Sequence, residues 1–332
     1  MQLAEKSPAS LSLDDASRLA RSDMAAVDAL IRESLQSDVI LVSEVSQHIV
    51  TSGGKRLRPL IVLLAARALG YEGDSHVQSA AIIEFIHTAT LLHDDVVDSS
   101  ARRRGRDTAN TIFGNQASVL VGDFLYSRAF QMMVDVGRMR VMQILADATN
   151  TIAAGEVMQL MNVHDPDLSE ASYRQVIYRK TARLFEAGAQ IAAVLAERDP
   201  GDEAAMIRYG RNLGTAFQLV DDALDYGASP DELGKNLGDD LAEGKMTLPL
   251  IYAMEQGSDN EREAIRAAIE ADGLQSLDEI QAVIDRTGAL EYTAAKAQEA
   301  AGAAIDALAG IPRSEHRDAL VAIAEFAVKR RS

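Results

Sequence analysis

The sequence predicts an all-α fold: one helical bundle around a central cavity, a single domain over residues 1–332. Two observations carry that prediction. Apolar residues make up 47% of the chain, while aromatics are only 5% and Trp is absent. Alanine and leucine therefore supply the core, and both favour helix over sheet. Apolar positions also recur at helical spacing from end to end, with no strand-like alternation beyond a few residues.

Ser12 and Asp14 open the first helical stretch, in which Leu19, Met24, Val27, Leu30, Ile31 and Leu35 recur on one face. Residues 1–20 are either disordered or an extra helix. A second segment, about 38–50, ends at Gly53-Gly54. Pro59 then stands where a first helical position is expected, and Gly70 where a helix stops. Asp74 or Ser75 caps a long helix that carries a first acidic run and ends near Gly105. Residues 115–136 and 138–163 read as two more long helices. Asp167 with Glu170 resembles a capping box for the helix carrying Lys180. Residues 203–226 hold a second acidic run; a loop rich in Gly and charge follows (227–245), and Pro249 opens the next helix. A boundary near residue 257 is conceivable. The remainder is Ala/Glu-rich, carries no chemical motif, and reads as packing helices of the same domain.

Thirty-three basic against fifty acidic residues give a formal charge of −17, which argues against a nucleic-acid partner. Anionic substrates must then be held by local basic clusters or by metal. With no cysteine, disulfides, thiolate metal sites and cysteine nucleophiles are excluded. The N-terminal stretch lacks a basic-plus-apolar signal pattern, and no apolar run approaches about 18 residues. These features predict a cytoplasmic protein. The basic end, Lys329 to Arg331, is either a solvated terminus or a contact for acidic lipid headgroups.

Two acidic runs organise the chemistry: Asp94, Asp95 and Asp98 (DDVVD), and Asp221, Asp222 and Asp225 (DDALD). On a helix, residues four apart lie about 40° apart around the axis and roughly 6 Å along it. Asp94 and Asp98 share a face, as do Asp221 and Asp225. Each run follows an apolar stretch, AIIEFIHTATLLH and LGTAFQLV. Carboxylates there are costly to desolvate unless a cation meets them. Either run alone reads equally as a solvated acidic patch; the repeated spacing favours metal. Oxygen-only ligands on helices suit Mg²⁺, which keeps several waters and is completed by substrate phosphates.

The positive clusters are few. Gly53-Gly54-Lys55-Arg56-Leu57-Arg58-Pro59 leads into a helix N-terminus, where amides, dipole and side chains together attract an anion. Arg102, Arg103, Arg104 and Arg106 lie about one turn beyond the first acidic run, and arginine suits phosphate by its bidentate fork. Lys235 and Lys245 sit among glycines, and Lys180 stands on its own helix. Each cluster either binds an anion or balances neighbouring acids. His87, within about 20° of Asp94 on the wheel, is a phosphate donor or a core residue. Gln218 relates similarly to Asp225, whereas His93 reads as structural. The chemistry that fits is a diphosphate ester whose leaving group is drawn off by several Mg²⁺ ions, leaving a carbocation between dry, unreactive walls.

GGKRLRP, LLHDDVVD followed by RRRG, GDFLYSRAF, GEVMQL, KTARLFEAG, FQLVDDALDY and GKNLGDDLAEGKMTLP, in this order, closely resemble the all-trans polyprenyl diphosphate synthases. The likeness runs from about residue 20 onward and is greatest to the long-chain members that make ubiquinone side chains, the octaprenyl and decaprenyl diphosphate synthases. The resemblance implies an isoprenoid synthase fold, usually a homodimer, that adds isopentenyl diphosphate head-to-tail to an allylic diphosphate such as farnesyl diphosphate. It implies Mg²⁺ at Asp94, Asp98, Asp221 and Asp225, three ions with substrate bound, supported by Asp95 and Asp222. It assigns isopentenyl diphosphate to Lys55, Arg58, His87 and Arg104, and the allylic diphosphate to Arg103, Lys180, Thr181, Gln218, Lys235 and Lys245. No side chain need be the base, because the departing diphosphate takes the proton. Release of a long product is compatible with transient membrane contact or with release without it.

Short-chain relatives block the cavity about one turn before the first DDxxD; Ala89 and Thr90 are small here, which predicts a long product. Phe124, Phe130, Met132 and Met133 are either its floor or core. Arg102 departs from the family by making a triple Arg where a pair is typical. Two rival readings are a class I terpene cyclase and a non-catalytic subunit of a two-component synthase. A second DDxxD and GGKRLRP argue against the cyclase, and two intact acidic motifs argue against the subunit.

Overall fold

The computed structural model describes residues 11–51, 54–103, 105–227, 238–271 and 276–329. Among them the chain forms helices α1 (Leu13–Leu19), α2 (Arg21–Ser34), α3 (Ile40–Thr51), α4 (Leu57–Ala68), α5 (Ser75–Val97), α6 (Ala109–Phe113), α7 (Asn115–Asp135) and α8 (Met139–Asn162). After α9 (Glu170–Ile177), a π-helical turn (Tyr178–Ala182) leads into α10 (Arg183–Leu195) and α11 (Pro200–Gly227). There follow α12 (Asp239–Ala242), α13 (Leu248–Gln256), α14 (Asp259–Glu270), α15 (Leu277–Thr287), α16 (Ala289–Ala307) and α17 (Glu315–Lys329). A two-stranded hairpin, β1 (Arg102–Arg103) paired antiparallel with β2 (Arg106–Asp107), follows α5. The all-α expectation is met.

α4 and α10 are buried at almost every position, and the polar residues buried on α10 are paired: Arg183 with Glu186, and Gln190 with Glu203. They pack on each other and on α5, and α11 lies along α10 and α16. One apolar cluster joins α4, α5, α7, α8 and α10 with the first half of α11. A second gathers α9, the end of α11 and the helices from α12 to α15 around Ile251, Ile265, Ile280 and Ile284. α17 returns to pack against α1 and α4. The π turn is pinched from both sides. A Cβ on Gly155 of α8 would lie 2.7 Å from Arg179 Cβ, and one on Gly214 of α11 would lie 2.5 Å from Ala182 Cα. Only glycine allows that approach.

Several boundaries depart from expectation. α5 stops at Val97, well short of Gly105, because Ser99 is left-handed (φ 52) and the Ser100 amide donates back to Asp95 O at 3.0 Å. Pro59 is the third residue of α4 rather than the first, tolerated because first-turn amides need no intrahelical acceptor. The α9 cap is Ser169, whose hydroxyl accepts from the Ser172 amide. Asp167 instead pairs with Arg266, and Lys180 stands on the π turn beyond α9.

Candidate active site

Asp94 and Asp98 end α5 one turn apart, and each faces a lysine delivered by a different element. Lys180 Nζ, from the π turn, lies 3.8 Å from Asp94 Oδ2 and 2.8 Å from Glu156 Oε2 on α8. Lys245 Nζ, from the segment after α12, lies 3.0 Å from Asp98 Oδ1 and also pairs with Glu243. Asp95 faces the other way and is 2% exposed. Arg103 grips its carboxylate with Nη2 at 2.8 Å and Nε at 2.9 Å, and Asn110 donates to its carbonyl at 3.0 Å. The hairpin register thus assigns Arg103 to the acid motif. Arg102 stays at the surface, donating to Gly105 O at 3.3 Å across the hairpin turn.

The second run divides by burial. Asp222 and Asp225 are 3% and 0% exposed, while Asp221 is half-buried. Asp222 accepts from Gln218 Nε2 at 2.8 Å and from the Tyr173 hydroxyl. Asp225 Oδ2 accepts the Asp240 amide at 3.1 Å, pinning α12 to α11.

Two chains of contacts join the acid runs. From Asp94, Lys180 leads to its neighbour Thr181, whose hydroxyl donates to Gln218 Oε1 at 2.7 Å, and Gln218 reaches Asp222. From Asp98, Lys245 leads through its own amide to Asp240 O at 2.8 Å, and Asp240 holds Asp225. Lys180, Thr181, Gln218, Asp222 and Lys245 line one cavity of about 130 Å³. Runs far apart in sequence therefore meet at one place.

Charge explains the stability of this crowding. Burial pushes the Asp94 carboxyl up, against the pull of Lys180, and Asp98 pushes it further. Burial also disfavours the ammonium of Lys180, but Asp94 and Glu156 outweigh it and raise its pKa; Asp98 and Glu243 do the same for Lys245. Both lysines stay charged in a net acidic site. Among the described residues no three His, Asp or Glu side chains stand close enough to hold a metal unaided. The donors are all hard carboxylate oxygens, and the two ammonium groups occupy the positions a cation would claim. That donor set fits Mg²⁺ completed by water and phosphate oxygens.

The first basic cluster forms a second pole at the start of α4. Arg58 Nη1 lies 3.1 Å from His87 Nε2, and its guanidinium sits 4.5 Å over the Phe185 ring. Lys55 is exposed, with Nζ 5.0 Å from the Phe326 ring of α17. Arg56, between them, is bound instead to Glu84 at 2.8 Å and Asp28 at 3.5 Å. Arg104 and Lys235 lie outside the described residues. His93 stacks on Tyr126 and contacts Val119 O, a structural placement as expected.

Ala89 is wholly buried and Thr90 half-buried, its hydroxyl donating to His87 O at 2.7 Å. Met132 and Met133 are core, Phe124 packs against it half-buried, and Phe130 reaches the surface at 37% exposure. Glu156, Glu243, Asp240 and Tyr173 belong to the site and were not singled out from sequence. Glu156 carried a usable signal: the one acid in the mostly apolar run GEVMQL.

The profile described as polyprenyl synthetase matches residues 39–287. Octaprenyl diphosphate synthase of Escherichia coli (strain K12) is 54% identical over 321 residues, 96% of this chain and 99% of that protein. A crystal structure of a polyprenyl synthase from Caulobacter crescentus CB15, complexed with calcium and isoprenyl diphosphate, is 47% identical. It superposes with a TM-score of 0.94 over 98% of this chain and 100% of that one. A decaprenyl diphosphate synthase structure from Rhodobacter capsulatus is 45% identical, with a TM-score of 0.91 over 96% and 98% of the two chains. The matched span runs through both acid motifs, Lys180 and Lys245, not through one helix alone, and the chain belongs to the polyprenyl synthetase family.

Proposed function

We propose that this chain is a prenyltransferase that elongates an allylic diphosphate, farnesyl diphosphate being the expected primer. It adds isopentenyl diphosphate head-to-tail, giving an all-trans polyprenyl diphosphate of octaprenyl to decaprenyl length for a ubiquinone side chain. The observation that carries this reading is the pair of lysine-centred contact chains that link Asp94 to Asp222 and Asp98 to Asp225 of the second acid run. The relatives' octaprenyl and decaprenyl products support the length.

Lys180, Thr181, Gln218 and Lys245 hold the allylic diphosphate, with Arg103 and Lys235 assisting. Lys55, Arg58, His87 and Arg104 hold isopentenyl diphosphate, placing its double bond against the allylic carbon. Asp94, Asp98 and Asp221 would hold Mg²⁺, three ions with substrate bound, and the metal would supply positive charge to offset the diphosphate as the C–O bond breaks. Asp225, expected from sequence as a fourth metal ligand, is instead wholly buried on the Asp240 amide; we assign it, with Asp222, to holding the surrounding backbone and side chains in place, and Asp95 to fixing Arg103. Apolar walls leave the allylic cation no competing nucleophile. After the new C–C bond forms, a proton passes to an oxygen of the released diphosphate, so no side-chain base is required.

The whole chain acts as one domain, since the site draws on residues from Lys55 to Lys245. Exposed apolar residues Val119, Leu120, Phe130 and Val134 on α7, with Val157, Leu160 and Met161 on α8, support a homodimer. Among the described residues no helix is long and apolar enough to cross a membrane; a cytoplasmic enzyme that releases its product by transient membrane contact is part of this proposal. The purified chain should convert farnesyl and isopentenyl diphosphates with Mg²⁺ to one main product of eight to ten isoprene units, read by mass. A cyclised hydrocarbon or no turnover would refute the proposal.

A further inference from the structure

Each bridging lysine has a second carboxylate partner that lies outside both acid motifs. Lys180 is closer to Glu156, at 2.8 Å, than to Asp94, at 3.8 Å. Lys245 likewise pairs with Glu243 as well as with Asp98. The same arrangement, carboxylate–ammonium–carboxylate, therefore occurs twice, and each time the inner carboxylate belongs to the first motif.

Glu156 is held beside Lys180 by backbone packing. Gly155 lets α8 press on the π turn so closely that a Cβ there would lie 3.0 Å from the Lys180 amide nitrogen. One oxygen of Glu156, Oε2, takes the ammonium, while Oε1 is buried without a hydrogen-bond partner. An ammonium has three donors. Glu156 can therefore accept a second bond from Lys180 if that lysine leaves Asp94.

A divalent cation on a carboxylate repels an ammonium held by the same carboxylate. Metal on Asp94 and Asp98 would therefore weaken the hold of those carboxylates on both lysines, and a loosened, partly buried ammonium needs another partner. We propose that Glu156 and Glu243 are positioning residues that retain Lys180 and Lys245 when metal takes Asp94 and Asp98. They keep both ammonium groups beside the cavity, where the diphosphate then meets them. This inference rests on the metal–diphosphate reading above.

The test is a double-mutant cycle on the full chain, with Mn²⁺ and inorganic diphosphate as probes and free Mn²⁺ read by electron paramagnetic resonance. Glu156→Gln should weaken Mn²⁺ binding about tenfold when Lys180 is present, and less than about twofold in the Lys180→Met background. Equal weakening in both backgrounds would mean that Glu156 acts only as a nearby negative charge, and would overturn the inference. So would no weakening at all. Circular dichroism checks the fold of each variant; should Glu156→Gln fail to fold, Glu243→Gln with Lys245→Met reads the same coupling. A wild-type chain that bound no Mn²⁺ with diphosphate would instead sink the metal reading itself, a distinguishable result.

Discussion

Asp221 and Asp225 lie one turn apart on α11, yet only the first is half-exposed; the second is wholly buried on the Asp240 amide. Helical spacing showed that the two share a face. It could not show that α12 folds back over that face, because this depends on a glycine-rich segment with no period of its own. The roles separate by mutation. Asp221→Ala should lower kcat by about 10²–10³ with unchanged unfolding, since it removes charge from the leaving-group site. Asp225→Ala should cost about 2–3 kcal/mol of stability, the expected loss for a buried, charge-assisted hydrogen bond. Steady-state kinetics and urea unfolding on both variants check this; equal unfolding midpoints would refute it.

Helices with a long apolar period were legible almost to the residue: α7 and α8 match the expected 115–136 and 138–163 closely. Ends and irregular turns were not. Nothing in KTARL signals a π turn, because the extra residue is imposed by close packing of Gly155 and Gly214 on either side. The capping choice at α9 went to Ser169 because Asp167 is drawn to Arg266. A further cap, at α14, yields a pH prediction. Glu261 closes a capping box with Ser258 and reaches Arg286 on α15. Ser258 first, then Arg286, hold its carboxyl down at about 2, from an ordinary value of 4.5. A depressed carboxylate stabilises the fold above its ordinary pKa, and that contribution is lost as pH falls through the lowered one. The melting temperature should therefore drop between pH 4.5 and about 2. Glu261→Gln should start lower at pH 7 and lose less across that window. Identical pH profiles by calorimetry would contradict this.

Across the whole molecule, −17 charges surround a site that must bind two diphosphates. In the proposed reading local cations answer that conflict: Arg58 with His87 at one pole, Lys180 and Lys245 at the other. The sequence identified these residue types and both acid motifs, since each stands out against an apolar or acidic background. How they meet depends on tertiary contacts, chiefly the α8–π turn–α11 sandwich, which no local pattern encodes. The most direct measurement is anomalous diffraction from crystals of the chain with Mn²⁺ and a non-ionisable allylic diphosphate analogue. Manganese peaks are expected within ligand distance of Asp94, Asp98 and Asp221, with Lys180 and Lys245 moved onto the diphosphate. Peaks confined to surface carboxylates, with both lysines still seated on Asp94 and Asp98, would contradict the proposed reading.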